Sequence, residues 1–342
     1  MSDPLAVLQG VPQGSILGPL CYIIFTNDLP DSIFTCQKHQ PGQKFSTDCT
    51  ECGTVCCFAD DSTLSISDKN PLTLSEKLSD KYSVLSEYLT SNKLKLNDDK
   101  THLILMTTSQ NRRLNNPRIQ VTTPTETIDA TDSEKLLGGF IHQDLKWGEH
   151  IVDNENSLVR SLTTRLNALR KICQYSCFKT RLMVANGIFL SKLIYLIPLW
   201  GGACGYLLKI LQVIQNKAAR YVTKSSIFTP TRDLLKQCRW LSVSQLSAYH
   251  SLVVTHKTML SQKPRYLYDK FGSQYPCNTR LAASRRIRID GNFDADLSLA
   301  HDSFRWRASK LYNELPVHIR TETKLARFKF NLKQWVSSNV TI

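Results

Sequence analysis

The chain has 342 residues and a mass of 38.9 kDa, long enough to bury a sizeable core and form two or three subdomains. Hydrophobic residues make up 42% and charged residues 21%, proportions that exclude a largely disordered chain. Residues 1–150 carry 13 Lys and Arg against 19 Asp and Glu, whereas residues 151–342 carry 30 against 10. A basic part that follows an acidic part favours a nucleic-acid partner over a merely soluble basic surface.

The sequence shows no pattern typical of secretion or membrane insertion. The uncharged stretch 4–27 has no preceding basic residue and is interrupted by prolines, glycines and glutamines. The uncharged stretch 193–208 is too short for a bilayer crossing and contains Pro198. Eleven cysteines, an odd number without secretory context, predict mostly reduced thiols. We therefore expect an intracellular protein, nuclear or cytoplasmic, that is neither secreted nor membrane-bound.

The first predicted elements are a loop over residues 8–19 and an apolar helix that begins at Leu20 and stops near Pro30. The loop contains Gln13 and Gly14. A glycine there allows the backbone to approach a ligand closely, although the same residues also fit a plain tight turn before a helix.

A cysteine-rich insertion over residues 31–57 follows and holds five of the eleven cysteines. Its candidate zinc ligands are Cys36, His39, Cys49 and Cys52, with Cys56 and Cys57 as alternates. Two Cys/His pairs with this internal spacing are typical of tetrahedral zinc sites, but the pairs are closer together than in most zinc fingers. Free cysteines packed beside the neighbouring strands are the alternative.

Two adjacent acids, Asp60 and Asp61, lie between an apolar segment and the segment 63–66. This pattern predicts a strand, a tight turn and a second strand, with both carboxylates at the turn. Adjacent carboxylates repel each other, and Mg²⁺ is commonly held by one or two carboxylates together with substrate phosphates. Two such ions roughly 3.5–4 Å apart clamp the attacking and leaving oxygens of a phosphoryl transfer. The alternative is an exposed turn with two solvated acids.

Helix and short strands are predicted after the hairpin. Apolar residues at helical spacing from Leu72 to Leu89 predict an amphipathic helix over about 74–91, with these side chains in the core. The predicted strands cover residues 102–106, 119–121, 127–128 and 135–141.

From Ser157 the pattern becomes helical, with further helices over about 179–196, 206–222, 232–238 and 243–260. The basic residues that lie largely off the apolar face are Arg160, Arg165, Arg170 and Lys171, with Arg181 on the next helix. Such a face is suited to tracking a phosphate backbone, or is plain solvated surface. Basic residues interleaved with apolar or aromatic ones at 285–288 and 305–307 suit an RNA partner.

Several motifs occur in a characteristic order. They are GVPQGSILGPL (10–20), NDLP (27–30), CFADDSTL (57–64), LKLN (94–97) with Lys100-Thr101, LLG (136–138) and WGEHI (147–151), followed by LQVIQNKAAR, SFRWRA and LPVHIR in the C-terminal part. This order resembles the palm and thumb of a non-LTR (LINE-type) retrotransposon reverse transcriptase, and the resemblance covers nearly the whole chain.

The resemblance implies an α+β fold, in which a partial reverse-transcriptase palm, an antiparallel sheet with helices, precedes a helical thumb and a helical C-terminal region. The palm would occupy residues 1–150, the thumb 151–222 and the basic C-terminal region 223–342.

The resemblance also implies roles for individual residues. Asp60 and Asp61 would hold Mg²⁺ or Mn²⁺, and Lys100 would neutralise or protonate the departing pyrophosphate. Gln13, Gly14, Phe58 and Ala59 would face the templating base and the incoming nucleotide, and Leu137, Gly138 and Gly139 would grip the primer end. The implied partners are an RNA template, a DNA primer and deoxynucleotides.

In the resembled family another Asp, on a strand before the GVPQG motif, takes part in polymerisation. Asp3 lies beside Pro4 with no strand before it and does not match that residue. We therefore expect the chain alone to be a fragment with little or no polymerase activity, whose missing palm and fingers a separate chain would supply. The alternatives are a non-catalytic nucleic-acid-binding remnant, for which the basic C-terminal part suffices, and a product without function.

The zinc hypothesis predicts about one zinc ion per purified chain, because a bound metal would stabilise a polar loop that lacks its own core. Metal analysis of the wild type, of Cys49→Ser and of the control Cys204→Ser tests it. Only Cys49→Ser should lose the metal. A wild-type protein without stoichiometric zinc would contradict the hypothesis and favour free cysteines.

Overall fold

The computed structural model describes residues 14–33, 53–115, 117–123, 127–271, 287 and 303–340. The chain divides into two compact units, residues 1–134 and 135–342. The first unit combines helices with short strands, and the second is mainly helical, which confirms the predicted α+β class.

The elements of the first unit are short, with the exception of one long helix. They are α1 (Gly18–Phe25), α2 (Leu29–Ile33), β1 (Thr54–Phe58), β2 (Asp61–Ser65), α3 (Pro71–Ser91), a 3₁₀ turn (Asp98–Lys100), β3 (Leu103–Ile104), α4 (Ser109–Asn115), β4 (Gln120–Thr122) and β5 (Thr127–Thr131). β1 and β2 form an antiparallel hairpin. A separate sheet has the order β3-β5-β4, with β3 parallel and β4 antiparallel to β5.

The strand predicted over 102–106 is shorter, Leu103–Ile104, and pairs with β5 of the same unit. Its pairing is also parallel, in contrast to the antiparallel sheet that was expected. Strand β4 pairs with one edge of β5, and β3 pairs with the other edge, where Leu103 lies opposite Ala130.

Helix α3 packs with α2 and the hairpin strands in the small core of the first unit. It begins at Pro71, after Asn70, whose side chain accepts a hydrogen bond from the Leu72 amide and caps the helix. Leu85 is buried together with Leu29 and Ile33. Leu72 is 72% exposed, so its predicted place in the core is wrong; it lies in the first turn of the helix, at the edge of the apolar face.

The second unit begins with a hairpin and continues as a set of packed helices. Its elements are β6 (Ser133–Leu136), β7 (Gly139–His142), a π-helical turn (Glu149–Asp153), α5 (Leu158–Tyr175), α6 (Phe178–Val184), a π-helical segment (Ala185–Leu190), α7 (Ser191–Ile194), α8 (Ile197–Trp200), α9 (Gly205–Thr223), α10 (Thr231–Cys238), α11 (Val243–Ser261), α12 (Arg265–Phe271), α13 (Phe304–Glu314), α14 (Val317–Arg320) and α15 (Leu325–Asn339). The single strand predicted over 135–141 is therefore a hairpin, because Leu137 and Gly138 adopt positive φ angles and reverse the chain.

The apolar face predicted on the first long helix of this unit is confirmed. Leu158, Leu162, Leu166 and Leu169 of α5 are all at most 7% exposed and belong to one continuous core. The core extends through α9, α10, α11 and α15, so that burial of these helices against one another defines the second unit.

Helix α11 lies at the centre of this core and contacts α8, α9, α12, α13 and α15. It begins with a capping box, in which the Ser242 hydroxyl accepts from the Gln245 amide and the Gln245 side chain accepts from the Ser242 amide. The approach of α8 is very close. A Cβ added to Gly201 would lie 2.1 Å from Ser247 Oγ and 2.5 Å from the Ile197 carbonyl oxygen.

Buried polar groups connect α11 to the C-terminal helices. The His256 ring stacks on Phe328 with 3.6 Å between ring centroids, and its Nδ1 lies 3.1 Å from the Tyr312 hydroxyl. Arg320 is 1% exposed and donates to the carbonyls of Asn313 (2.9 Å) and Leu315 (2.8 Å). A cation at the C-terminal end of α13 also complements the helix dipole, so the carbonyls and the dipole both stabilise this buried charge.

None of the helices in the described ranges combines the length and apolar character that a bilayer crossing requires.

His150 of the WGEHI motif is buried beneath the first hairpin of the second unit. It is 4% exposed, and its Nδ1 accepts a hydrogen bond from the Phe140 amide at 3.4 Å. Burial, with a smaller contribution from the nearby Lys192 charge, lowers the pKa of His150 to about 4. The imidazole is therefore neutral at physiological pH and serves the packing of the hairpin.

We predict that acid weakens the second unit through His150. The folded-state pKa is about 4 and the ordinary value is 6.5, so the unfolded chain takes up the proton first as the pH falls. The loss should develop between pH 6.5 and pH 4 and reach about 3 kcal/mol of unfolding free energy. Urea unfolding followed by tryptophan fluorescence measures it, since all five tryptophans lie in residues 135–342.

The matched variants are His150→Gln, which does not titrate, and the exposed control His318→Gln. His150→Gln should flatten the decline relative to the wild type, whereas His318→Gln should keep it. Equal pH dependence in the wild type and His150→Gln would contradict this account.

Candidate active site

The two acids lie at the tip of the β1–β2 hairpin, as the sequence predicts. Phe58 pairs with Asp61 at the end of the ladder, which leaves Ala59 and Asp60 as a two-residue turn. Ala59 has a φ of +52°, a left-handed conformation that is unfavourable for a residue with a side chain. The two strands are paired up to Phe58 and Asp61, so the carboxylates lie at the end of a short two-stranded hairpin.

Both carboxylates are exposed to solvent, as is the Phe58 ring, which is 65% accessible. In the described part of the chain, no Lys, Arg or His forms an ion pair with Asp60 or Asp61. Tyr22 of α1 is close enough that burial first, and then the Asp60 charge, raise the pKa of its phenol. The Tyr22 side chain of α1 therefore lies near the hairpin tip.

An aspartate that sequence reasoning did not select has a defined partner in the same unit. Asp28 of the NDLP motif accepts a hydrogen bond from the Tyr88 hydroxyl of α3 at 2.5 Å. Burial and this hydrogen bond raise the pKa of Tyr88 to about 12, so the phenol stays protonated and remains a donor. The contact connects the segment between α1 and α2 to α3. The sequence signal for Asp28 is the NDLP motif that contains it.

The residues at the tip fit part of a metal site. Carboxylate oxygens are the donors that Mg²⁺ and Mn²⁺ prefer, and those of Asp60 and Asp61 are accessible. Among the described residues, no group of three or more His, Cys, Asp or Glu side chains is arranged to share a metal ion. The pair therefore offers two ligands, and the rest of an octahedral shell must come from water, substrate or further donors.

The other residues predicted near the nucleotide are described in part. Gly14 has a φ of +82°, and nothing lies within 4 Å of the place where its Cβ would be, while Gln13 lies outside the described residues. Lys100 ends the 3₁₀ turn and is exposed. The structure gives no contact that brings Lys100 to the hairpin tip, and its role stays a prediction.

The residues predicted to grip the primer form the turn between β6 and β7. Leu137 and Gly138 have φ angles of +48° and +80°, and Gly139 begins β7. The Tyr195 hydroxyl donates to the Leu137 carbonyl at 2.5 Å. The three residues are therefore a defined tight turn that a distant part of the chain supports.

The predicted basic face divides into exposed and structural residues. Arg160, Arg170 and Lys171 are exposed on α5, and Arg165 is half-buried and donates to the Ile188 carbonyl at 3.0 Å. Arg181 is only 7% exposed, and its guanidinium donates to the carbonyls of Val222 (2.6 Å) and Ser176 (2.5 Å). These carbonyls lie at the C-terminal ends of α9 and α5 and have no partner within their helices, so the Arg181 guanidinium supplies their hydrogen bonds and has a structural role.

The candidate zinc ligands Cys36, His39, Cys49 and Cys52 lie outside the described residues, and the zinc hypothesis stays untested. The alternates Cys56 and Cys57 are free, exposed thiols on β1.

Comparison with known proteins gives a family for the first part of the chain. Residues 3–139 match the family model described as "Reverse transcriptase (RNA-dependent DNA polymerase)". The match contains the Gly14 loop, the hairpin with Asp60 and Asp61, Lys100 and the turn at 137–139.

Curated proteins of Drosophila melanogaster are similar over most of the chain. The "Probable RNA-directed DNA polymerase from transposon X-element" is 26% identical over 75% of this chain and 26% of its own length. The "RNA-directed DNA polymerase from mobile element jockey" is 22% identical over 82% of this chain and 29% of its own length. The "Probable RNA-directed DNA polymerase from transposon BS" is 26% identical over 73% of this chain and 26% of its own length.

The chain thus spans between a quarter and a third of the length of these relatives. No solved structure matches it. The family match and the relatives confirm the resemblance that the motifs indicate. Residues 3–139 match the reverse transcriptase family, and the chain is similar over most of its length to RNA-directed DNA polymerases of Drosophila mobile elements.

Proposed function

We propose that this chain is the palm hairpin and thumb part of an enzyme that extends a DNA primer on an RNA template. The observation that carries the proposal is the exposed Asp60–Asp61 pair on a two-residue turn, within the segment that matches the reverse transcriptase family. The reaction is attack of the primer 3′-hydroxyl on the α-phosphate of a deoxynucleotide, which forms a phosphodiester and releases pyrophosphate.

The residues of the chain have separate tasks in this proposal. Asp60 and Asp61 hold a divalent cation, Mg²⁺ or Mn²⁺, which when bound offsets the negative charge that develops on the phosphate oxygens. Phe58 and Ala59 lie next to these acids at the tip and face the incoming nucleotide, together with Gln13 and Gly14. Lys100 supplies positive charge, or a proton, to the leaving pyrophosphate.

Nucleic acid is held by the second unit in this proposal. The exposed cations Arg160, Arg170 and Lys171 of α5, with Arg165 beside them, follow the phosphate backbone of the template and primer. Contacts of this kind position a duplex without reading its sequence, as a polymerase requires. Arg181 is excluded from this face, since its guanidinium is buried.

Metal binding by the acidic pair gives the direct test. Two carboxylates provide an incomplete site, so the wild type should bind Mn²⁺ weakly alone and more tightly with a primer–template and a deoxynucleotide present. Asp60→Asn and Asp61→Asn should each weaken that binding by about tenfold, which corresponds to about 1.4 kcal/mol. Electron paramagnetic resonance of free Mn²⁺ measures the effect, and the exposed Asp80→Asn on α3 is the matched control.

Primer extension on the same samples measures the activity. We expect little extension by the wild type, and none by either hairpin variant. Unchanged Mn²⁺ binding in both hairpin variants would refute the assignment of the metal ligands. If both hairpin variants bind nucleic acid as the wild type does, and none of the proteins binds Mn²⁺, the non-catalytic remnant would be favoured instead.

We also propose that a further polymerase segment, in a longer form of the chain or in a separate chain, covers α1. Five side chains of α1 and its N-terminal flank are 53–95% exposed: Ile16, Leu17, Leu20, Ile23 and Ile24. A contiguous apolar surface of this kind marks an interaction site. A segment with the remaining palm and fingers fits it, because Tyr22 of α1 lies near the hairpin tip that such a segment would complete.

This partner predicts a binding result. The wild type should co-purify with a separately expressed palm-and-fingers segment of the X-element relative, and the double variant Ile23→Ser/Ile24→Ser should not. Burial of two isoleucines contributes about 3–6 kcal/mol, enough to decide a moderate affinity. Leu72→Ser, which changes an equally exposed leucine of the same unit, is the control. Retention by the double variant would contradict the proposed surface.

A further inference from the structure

Two loops of the second unit begin at the same end of the helices and are connected to each other. The first loop follows α5 and the second follows α9. The Arg181 guanidinium donates to the carbonyls of Ser176 and Val222, which belong to the ends of these two helices. Lys224 Nζ also donates to the Gln174 carbonyl at 3.3 Å. Because one guanidinium reaches both helix ends, the two loops start close together.

Three aromatic side chains at these loops are exposed to solvent. Tyr175 is 91% exposed, Phe228 is 86% exposed and Phe178 is 41% exposed. The second loop is held in place, because Arg220 Nη2 donates to the Ile227 carbonyl at 3.2 Å, next to Phe228. Several exposed apolar side chains that start from one end of a unit indicate an interaction site.

The chain around these rings carries positive charge only. Residues 156–232 contain 12 Lys and Arg and no Asp or Glu, and the next acid is Asp233 in α10. Lys179, which follows Phe178 directly, and Lys224 are both exposed. In the part of the chain that the structure describes, neither lysine forms an ion pair with a carboxylate. Rings among such cations favour a polyanion with flat apolar faces over a second copy of this chain, whose like charge would repel.

We propose that Tyr175, Phe178 and Phe228, here called the ring surface, stack with unpaired bases of a nucleic-acid strand, while Lys179 and Lys224 contact its phosphates. The inference rests on the proposed function, in which that strand is the RNA template outside the primer duplex. Stacking requires bases whose faces are free, as in a single strand. Every base has such a face, so the ring surface binds without preference for sequence.

Variants that keep an apolar side chain but remove the ring test stacking directly. The probe is a fluorescein-labelled oligouridylate of about 16 nucleotides, and anisotropy gives its affinity. Phe228→Leu and Tyr175→Leu should each weaken binding about tenfold, because one stacked base is lost. Phe228→Trp should retain the affinity, and the RNA should quench its fluorescence beyond the change in the wild type. Phe330→Leu and Tyr206→Leu, which change exposed rings elsewhere in the unit, should bind as the wild type does.

Salt dependence separates the cations from the rings. Lys179→Gln should reduce the slope of log K against log salt concentration by about 0.7, because one phosphate contact to a single strand is lost. Lys179 is the better choice for this test, since Lys224 also holds a backbone carbonyl. Phe228→Leu should leave the slope unchanged, because it removes no charge. The control is Lys209→Gln, which changes an exposed lysine near the start of α9.

A blunt DNA–RNA hybrid and lipid vesicles identify the ligand. The two leucine variants should bind the hybrid as the wild type does, because its bases are paired; a loss as large as for oligouridylate would contradict stacking with unpaired bases. Variants that bind oligouridylate normally but lose binding to vesicles of phosphatidylcholine and phosphatidylserine would assign the rings to a membrane surface instead. Circular dichroism confirms that the variants remain folded.

The outcomes distinguish the ring surface from the proposed function. A wild type that binds neither oligouridylate nor the hybrid would overturn both. A wild type that binds the hybrid, with unchanged oligouridylate affinity in Phe228→Leu and Tyr175→Leu, would overturn the ring surface alone. The Mn²⁺ response of Asp60→Asn is independent of all these results.

Discussion

Burial of α11 on several sides is the constraint on which the helical unit depends. Polar groups on the buried sides of this helix are out of reach of water, so partners inside the protein stabilise them. Ser242 and Gln245 form a reciprocal cap, and the Gln245 side chain also donates to the Val340 carbonyl at 2.9 Å. The C-terminal helix α15 is thereby attached to the start of α11, although 95 residues separate Gln245 from Val340.

The same logic explains the two buried arginines. Arg181 and Arg320 both donate to backbone carbonyls at the ends of helices, where the last carbonyls have no partner within the helix. A guanidinium is suited to this task because its several donors reach more than one carbonyl. Part of the large positive charge of residues 151–342 therefore serves the fold.

Local sequence patterns predicted the features that depend on neighbouring residues in the chain, such as helix faces and turns. The leucines of α5 recur at the helical period and are buried, and the Asp60–Asp61 pair lies at a turn because strand-forming residues flank it. The order of the motifs predicted the family that the comparison confirms. These features need no knowledge of distant contacts.

Long-range contacts decide the features that the sequence did not reveal. Arg181 has the position of a surface cation in its helix but lies against Val222, 41 residues away. The strand predicted over 135–141 is interrupted because Tyr195 stabilises a turn at Leu137, and β3 pairs with β5 because one edge of that strand is open. Asp28 is bonded to Tyr88, 60 residues away, and no periodicity signals such a pair.

The close packing of Gly201 against α11 limits how this protein can diverge. Any side chain at that position meets Ser247 Oγ, and a second substitution that trimmed Ser247 to glycine would remove that clash. The Ile197 carbonyl would remain, because it belongs to the main chain and no mutation at another position deletes it. Compensating mutations are therefore ineffective at Gly201. Relatives in which α8 packs against α11 in the same way should keep glycine at this position. In a relative with a larger residue there, the backbone after α8 must follow a different path.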